Sequence, residues 1–340
     1  MLFASHLKKV FYNREREKHF NMEKIAVLSV YYGTLPPYYR LWLRSCEYNP
    51  TIDFYLVTDI AVENLPKNVH VIPLSFQEFH TLAEKKLGMR VCLDAPYKIC
   101  DYRPMFGEIL SEYLEGYDYW ANCDMDMIYG DLRGYFDRFD LKKYDRFLHL
   151  GHLSLYRNTP ECNQYYRLPG SKCGSWRDVV STPKNCLFDE WSGVYGIFHE
   201  NNLPMFEGRI FADISMIYSR FRLALDDVNY DQQVFYWENG HVYRTYWVND
   251  EQKTEEFIYI HFKKRKFDKE SFDAASVKAF FIGPNGFTEK AGPVSREDVD
   301  RINPFHGVKY EKKELERQQK MEDKQKWKDR FNRLLGKRKQ

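Results

Sequence analysis

Residues 117–136 read YDYWANCDMDMIYGDLRGYF, and three carboxylates, Asp124, Asp126 and Asp131, fall within eight residues among aromatic and sulfur-bearing side chains. Acidic groups ordinarily stay solvated, because burying an unpaired carboxylate is costly. The flanking pattern says where these sit. Upstream, PMFGEILSEYLEG (104–116) repeats apolar residues at Met105, Phe106, Ile109, Leu110, Tyr113 and Leu114. That is the 3.6-residue period of a helix starting at Pro104 and stopping at Gly116. YDYWANC is too short for a second helix and rich in strand formers. The order is helix, glycine stop, strand, then Asp-Met-Asp at the strand's carboxyl end, where open α/β sheets bind ligands.

Working outward, the globular part begins at Lys24 with IAVLSVYYG, a β-rich run ended by Gly33 and Pro36–Pro37. YYRLWLRSCEYN has helical spacing, with Leu41, Leu43 and Cys46 inward. IDFYLVTD and VHVIPLS follow as strands, RFLHLGHLSLYRN as a further strand and turn, and EEFIYIHF as a late strand leading into KKRKF. The β-α-β-β rhythm predicts an α/β sheet that starts near residue 24.

At 340 residues, with 44% hydrophobic and 17% aromatic side chains, the chain buries a large core as one domain or one and a half. The net charge of +2 is unevenly spread: residues 311–340 hold 12 Lys/Arg against 6 Asp/Glu, leaving −4 on the first 310. A mildly acidic body argues against nucleic acid as partner. Seven cysteines without a CxxC pair give neither a disulfide framework nor zinc spacing. Reduced thiols of a cytoplasmic protein are the expectation. No apolar run reaches the ~18–20 residues that span a bilayer. Residues 1–23 form an arm in which Phe3, Leu7, Val10 and Phe11 share one helical face: a membrane-surface helix or a frayed end. Residues 24–309 form the globular body. In 310–340, Trp327, Phe331, Leu334 and Leu335 line one face of a basic helix. Such a tail suits an anionic membrane surface, here the inner face of the cytoplasmic membrane, a partner protein, or plain solvation.

Two carboxylates one residue apart at a strand tip can face one ligand. A hard cation, Mn²⁺ or Mg²⁺, takes such oxygens and completes its shell with water and phosphate. The spacing alone is common: Asp298–Val299–Asp300 repeats it in the polar run SREDVDR, with no strand leading in, and reads as an exposed helix start.

The segment WANCDMDMIYGDL resembles the DxD region of nucleotide-sugar-dependent glycosyltransferases of the GT-A fold. The longer stretch from Pro96 to Phe136 is similar to little-characterised bacterial proteins encoded among capsule and lipopolysaccharide glycosyltransferases, over residues 24–270. More distantly it resembles the lipopolysaccharide galactosyltransferase and glycogenin group. The resemblance implies a GT-A (nucleotide-diphospho-sugar transferase, Rossmann-like) mixed central sheet flanked by helices. It also implies transfer from a nucleotide-sugar donor, UDP-linked, to a glycan or lipid-linked acceptor in bacterial surface polysaccharide synthesis.

Carried over by position, the resemblance makes Asp124 and Asp126 metal ligands, with Asp124 also facing the donor, and His261 the late metal-binding histidine. Gly130–Asp131 match a Gly-Asp pair. Lys98, Asp101 and Arg103 stand on the approach to the helix, where such enzymes contact donor sugar or diphosphate. Two departures stand out: one residue is missing between the DxD and Gly-Asp, and HFKKRKF lacks the late Gly and Pro-Trp. Lys264 and Lys266 are candidate diphosphate contacts, although an exposed basic turn explains them equally well. Val30, Tyr31 and Tyr32 are candidates for holding the base, and Asp59 for base or ribose. Asp189 and Glu190 in FDEWSGVYG are candidate bases for an acceptor hydroxyl, with Asp213, Asp227 and Asp231 as competitors. His149 and His152 are placed beside the donor–acceptor cleft or in packing. Two rival readings are a sugar-1-phosphate nucleotidyltransferase, for which YYGTLPPYYR is a poor phosphate loop, and a catalytically silent glycan-binding or assembly subunit.

Overall fold

The computed structural model describes residues 22–224, 228–263, 265–268 and 270–336. The N-terminal arm of residues 1–21 lies outside them. The described chain divides into two compact units: residues 22–34, 50–124 and 136–208, and residues 35–49, 125–135 and 209–336.

The first unit is built on strands β1 (Ile25–Val30), β2 (Asp53–Thr58), β3 (Val69–Pro73) and β4 (Tyr119–Cys123). The second unit takes over with β5 (Met127–Tyr129), and the chain returns to the first for β6 (Arg146–Phe147), β7 (Leu153–Arg157) and β8 (Met205–Phe206). The first unit's sheet runs β3-β2-β1-β4-β7-β6-β8. Its first four strands are parallel, and β7 is antiparallel to both β4 and β6. This is the mixed central sheet that the sequence predicts. The chain leaves β1 toward β2 on one side and places β4 on the other, so the switch point of the topology lies at the carboxyl ends of β1 and β4. Leu28 pairs with Asn122, so Val30, the last residue of β1, and Asp124, just past β4, stand at the same level.

A helix over Phe76–Leu87 was not among the expected elements. Its start is written in Ser75 and Glu78, which form a reciprocal capping box, and its stop in Gly88 at φ +69°. The single helix expected over 104–116 is broken instead. A 3₁₀ run covers Pro96–Met105, one α-turn covers Phe106–Ile109, and a 3₁₀ turn covers Ser111–Tyr113. Pro104 lies inside the first run, where its missing N–H suits short 3₁₀ geometry better than a continuing α-helix. The apolar period still places Met105, Phe106, Ile109, Leu110 and Leu114 in the core, against Ala26, Leu28, Val57 and Trp120. Tyr113 is the exception and stays exposed.

The second unit contains a helix over Tyr39–Glu47 that buries Leu41, Leu43 and Cys46 as spaced. It also holds β9 (Ala212–Asp213), β10 (Gln233–Glu238), β11 (His241–Val248), β12 (Glu251–Phe257), β13 (Tyr259–His261), β14 (Ala279–Gly283) and β15 (Gly286–Glu289). An antiparallel sheet runs β12-β11-β10-β14-β15. Two of its hairpins turn on Asn239-Gly240 and Asn249-Asp250, all four residues at positive φ, the left-handed pair that a two-residue hairpin needs. A smaller sheet runs β5-β13-β9. The expected EEFIYIHF strand is divided between these two sheets at Ile258. The second Asp-x-Asp triplet is a helix start, as expected: Asp298 reaches back to the Ser295 N–H in a capping box.

Gly130 follows β5, and a Cβ there would lie 2.7 Å from the Phe257 carbonyl oxygen and 3.1 Å from that of Ile258. Both neighbours are backbone and cannot swing aside. Gly130→Ala should therefore destabilise the protein by about 1–3 kcal/mol, read as a shift in the urea unfolding midpoint.

Candidate active site

Asp124 leaves β4 with its N–H donated to the His152 carbonyl at 2.9 Å. Its carboxylate accepts a hydrogen bond from Arg103 Nη2. Arg103 Nη1 donates to Asp189 Oδ2 at 2.8 Å and to the Gly151 carbonyl at 3.1 Å. Asn122, the last inward residue before the tip, donates to the same carbonyl at 2.6 Å. Gly151 has to be glycine here, since a Cβ would overlap the Asp189 carboxyl. Burial works against the charge on Arg103, but the carboxylates, Asp124 first, more than offset it and hold the guanidinium protonated. One cation thus serves two acids.

Asp189 is the more buried of those acids. Burial, opposed by Arg103 and reinforced by Glu190 and Asp124, pushes its carboxyl up to about 7. Burial, followed by Asp124, also raises Glu190, which is only half-buried. The loop bearing both is pinned from beneath. Asp101 accepts the Cys186 and Phe188 N–H groups at 2.8 and 2.9 Å and Lys98 Nζ at 2.7 Å. Lys98 gives its other hydrogen bonds to the Val179 and Lys184 carbonyls. Lys98 and Asp101, expected on the donor's path, are 3% and 0% exposed, so the structure gives them this anchoring position instead.

The remaining donor-side candidates of the first unit gather at the tips of β1 and β2. Tyr31 N–H donates to the Val57 carbonyl, and Tyr31 Oη to Thr34. Tyr32 packs edge-on against Phe76 at 5.4 Å, and burial, then the charge of Asp59, raises its hydroxyl pKa. Asp59 is exposed, and Val30 and Tyr31 are partly so. The result is an aromatic shelf with one carboxylate.

In the second unit, Asp126 precedes β5, His261 ends β13 and Asp213 ends β9. The pairing places His261 opposite both Met127 and Asp213. The Asp126 carbonyl accepts the Phe262 N–H. His261 Nδ1 lies 2.9 Å from Asp213 Oδ1, and its Nε2 lies 3.4 Å from Asp126 Oδ1. Asp213 also pairs with Lys263 at 2.7 Å. The Asp213 bond assigns the proton to Nδ1, which turns the Nε2 lone pair toward a carboxylate oxygen. Two lone pairs facing one another call for a proton or a metal cation between them. A histidine whose other nitrogen is tied to a carboxylate is also the usual form of a metal-bound imidazole. The donor set therefore fits a hard-to-borderline divalent ion.

Asp131 serves the backbone: its Oδ1 accepts the Gly134 N–H and caps the helix Leu132–Arg138. Lys266 is exposed, Arg265 donates to the Ser215 and Tyr218 carbonyls, and Lys264 lies outside the described residues. Asp231 is exposed, and Asp227 is also outside the described residues. His149 and His152 are buried. Asp213 acts as the partner of His261, a role that its place in FADIS did not signal. Nothing in the local sequence announced Asn122 and Gly151 as the seat of Arg103 either.

Residues 27–291 match a family described only as a family of unknown function, DUF6625. No curated protein matches the chain. Among solved structures, mouse xyloside xylosyltransferase 1 is similar over 57% of this chain and 88% of its own, at 8% identity and a TM-score of 0.36. The galactosyltransferase LgtC, solved with donor and acceptor sugar analogues, is similar over 55% of this chain and 75% of its own, at 13% identity and a TM-score of 0.33. Glycosyltransferase GlyE of Streptococcus pneumoniae TIGR4 aligns over 40% of this chain and 35% of its own, at 15% identity and a TM-score of 0.21. Likenesses this distant carry no argument about chemistry.

The raised carboxyl of Asp189 has a stability signature. Its fold favours the protonated form, so its contribution is full below pH 3.8 and is lost as the pH rises toward about 7. The stability of Asp189→Asn, which cannot ionise, relative to the wild type should shift upward as the pH rises through that window, and the difference should level off above it. Melting temperatures of the two proteins across the window check this.

Proposed function

The chain belongs to the DUF6625 family, and we propose that it is a metal-dependent glycosyltransferase acting on a nucleotide-diphosphate sugar, UDP-linked, and a glycan or lipid-linked acceptor of bacterial surface polysaccharide synthesis. The observation that carries this reading is the Asp213–His261–Asp126 array, an imidazole oriented by one carboxylate with its other nitrogen 3.4 Å from a second. Asp124 precedes Asp126 in the chain with only Met125 between, on the tip of a strand at a switch point.

In this reading Asp124, Asp126 and His261 hold Mn²⁺ or Mg²⁺, which supplies neutralisation of the charge that grows on a leaving diphosphate. Arg103 keeps Asp124 in one rotamer and adds a fixed positive charge beside it. Tyr31, Tyr32 and Asp59 offer the base and ribose a stacking face and a carboxylate, and Lys266 with Lys264 offers cations to the diphosphate. Of the two acids in the pinned loop, Glu190 has the solvent contact that deprotonating an acceptor hydroxyl needs. Asp189, turned inward onto Arg103, positions that guanidinium. No helix of the described residues is long and apolar enough to cross a membrane. Attachment to the inner face of the cytoplasmic membrane falls to the helix Val308–Gly336, where Trp327 and Phe331 stack at 5.4 Å and stand exposed in a lysine-rich segment.

Calorimetry with UDP, with and without Mn²⁺, tests the core of the proposal, followed by hydrolysis of a panel of nucleotide sugars. Binding that requires the metal, and turnover of at least one donor, are expected. Absence of metal-dependent nucleotide binding would leave a silent subunit. Pyrophosphate release from a nucleoside triphosphate and a sugar 1-phosphate would make it a nucleotidyltransferase. Asp126→Ala should abolish donor turnover, by at least about a hundredfold, while the melting temperature stays level or rises because the neighbouring acids lose a repulsive partner. A collapsed fold in that variant would mark Asp126 as structural.

A further inference from the structure

The loop pinned by Asp101 carries a tryptophan that its own packing does not account for. Trp191 is 40% exposed, although Trp42, Trp120 and Trp237 are completely buried. Its ring is fixed rather than loose. It meets Tyr195 at 4.4 Å and the buried His149 at 4.8 Å, both edge-on, which leaves a flat indole surface backed by two rings. Beside it stands a polar rim. Tyr195 Oη donates to Glu207 Oε2 at 2.8 Å, and His199 Nε2 lies 3.1 Å from Glu207 Oε1, so an exposed carboxylate is held in one orientation. Glu190, half-buried, immediately precedes Trp191 in the chain.

The backbone is bent to make this presentation. Leu187 sits at φ +56°, a conformation that a branched residue adopts at a cost. Gly193 closes the turn where any Cβ would overlap the Phe188 carbonyl, which itself accepts the Val194 N–H at 2.7 Å. With Cys186 and Phe188 tied to Asp101, the turn is locked at its base and displays Glu190 and Trp191 at its crest.

From this geometry we infer that Trp191, with Tyr195 and the Glu207 rim, is the binding platform for a pyranose ring of the acceptor. A pyranose has an apolar C–H face and an edge of hydroxyls, and it matches an aromatic surface with a fixed acceptor carboxylate at its margin. Glu190, next to Trp191 in the chain, and Glu207, held by Tyr195, are carboxylates near the ring, which disfavours phosphates, nucleic acid and anionic lipid and favours a neutral polyol. The inference deepens the glycosyl-transfer reading and rests on it for the role of Glu190, whereas sugar binding itself does not depend on the donor.

The test uses the full chain and methyl β-D-galactopyranoside, methyl α-D-glucopyranoside and lactose as probes, followed by saturation-transfer NMR and tryptophan fluorescence. At least one should bind in the millimolar range. Trp191→Ala should weaken that binding about tenfold, the ~1.4 kcal/mol of a stacking contact, and Trp191→Phe should restore most of it. Affinity for UDP with Mn²⁺ should not change in either variant. No pyranoside signal, equal binding by Trp191→Ala, or a Trp191-dependent adhesion to anionic vesicles instead would overturn the assignment. Pyranoside binding lost in Trp191→Ala without any metal-dependent UDP binding would keep the platform and remove the transferase.

Discussion

One guanidinium shared between two carboxylates organises the first unit. Arg103 sits almost out of solvent, where a charge without partners would not survive, and Asp124 and Asp189 keep it charged. The arrangement works both ways. Asp124, at the tip of a parallel strand, has its direction set by Arg103, and Arg103 has its direction set by Asp189 and by the Gly151 carbonyl. Asp189 in turn depends on a loop clamped by a second buried ion pair, Lys98–Asp101, whose oxygens take two backbone N–H groups. Removing Arg103 would strip Asp124 and Asp189 of their shared cation, and removing Lys98 would strip Asp101 of its own. That outcome is far more costly than losing a surface pair.

Much of this was legible in the sequence, and the reasons differ by element. The strand over Tyr119–Cys123 and its acidic tip announced themselves because strand formers, a glycine stop and carboxylates follow in a fixed order. The helix at Tyr39–Glu47 buried the residues that its spacing marked. The break in the helix over 104–116 was invisible to periodicity, because the same apolar positions reach the core from α-turns and 3₁₀ turns alike. Its local sign is Pro104, which stands inside the 3₁₀ run rather than in the first turn of an α-helix. The helix at Phe76–Leu87 was readable from its Ser75/Glu78 cap, as were the hairpins at Asn239-Gly240 and Asn249-Asp250 from their turn residues.

Site residues divide along the same line. Carboxylates near one another in the chain can be picked out by eye. Which of them points inward depends on partners far away, as when Asp213 meets His261 across 48 residues or Arg103 meets Asp189 across 86. Lys98 illustrates the error that follows. A lysine beside an expected ligand path reads as a ligand contact, yet three acceptors buried with it absorb all its donors.

The two acids of the Asp-Met-Asp triplet are prepared differently, and the difference bears on where a divalent ion has most to gain. Asp124 already has a cation: Arg103 neutralises it, and a metal there competes with or adds to an existing pair. Asp126 faces an imidazole instead. In its unit, Lys263 pairs with Asp213, and His261 stands between Asp213 and Asp126. At short range and reduced dielectric, attraction between a carboxylate and a cation far exceeds its value in water. Under the proposed reading, Asp126 and the imidazole oriented by Asp213 are the second unit's ligands for that ion. Asp124, under the same reading, has the direction of its carboxylate set by Arg103 before any ion arrives.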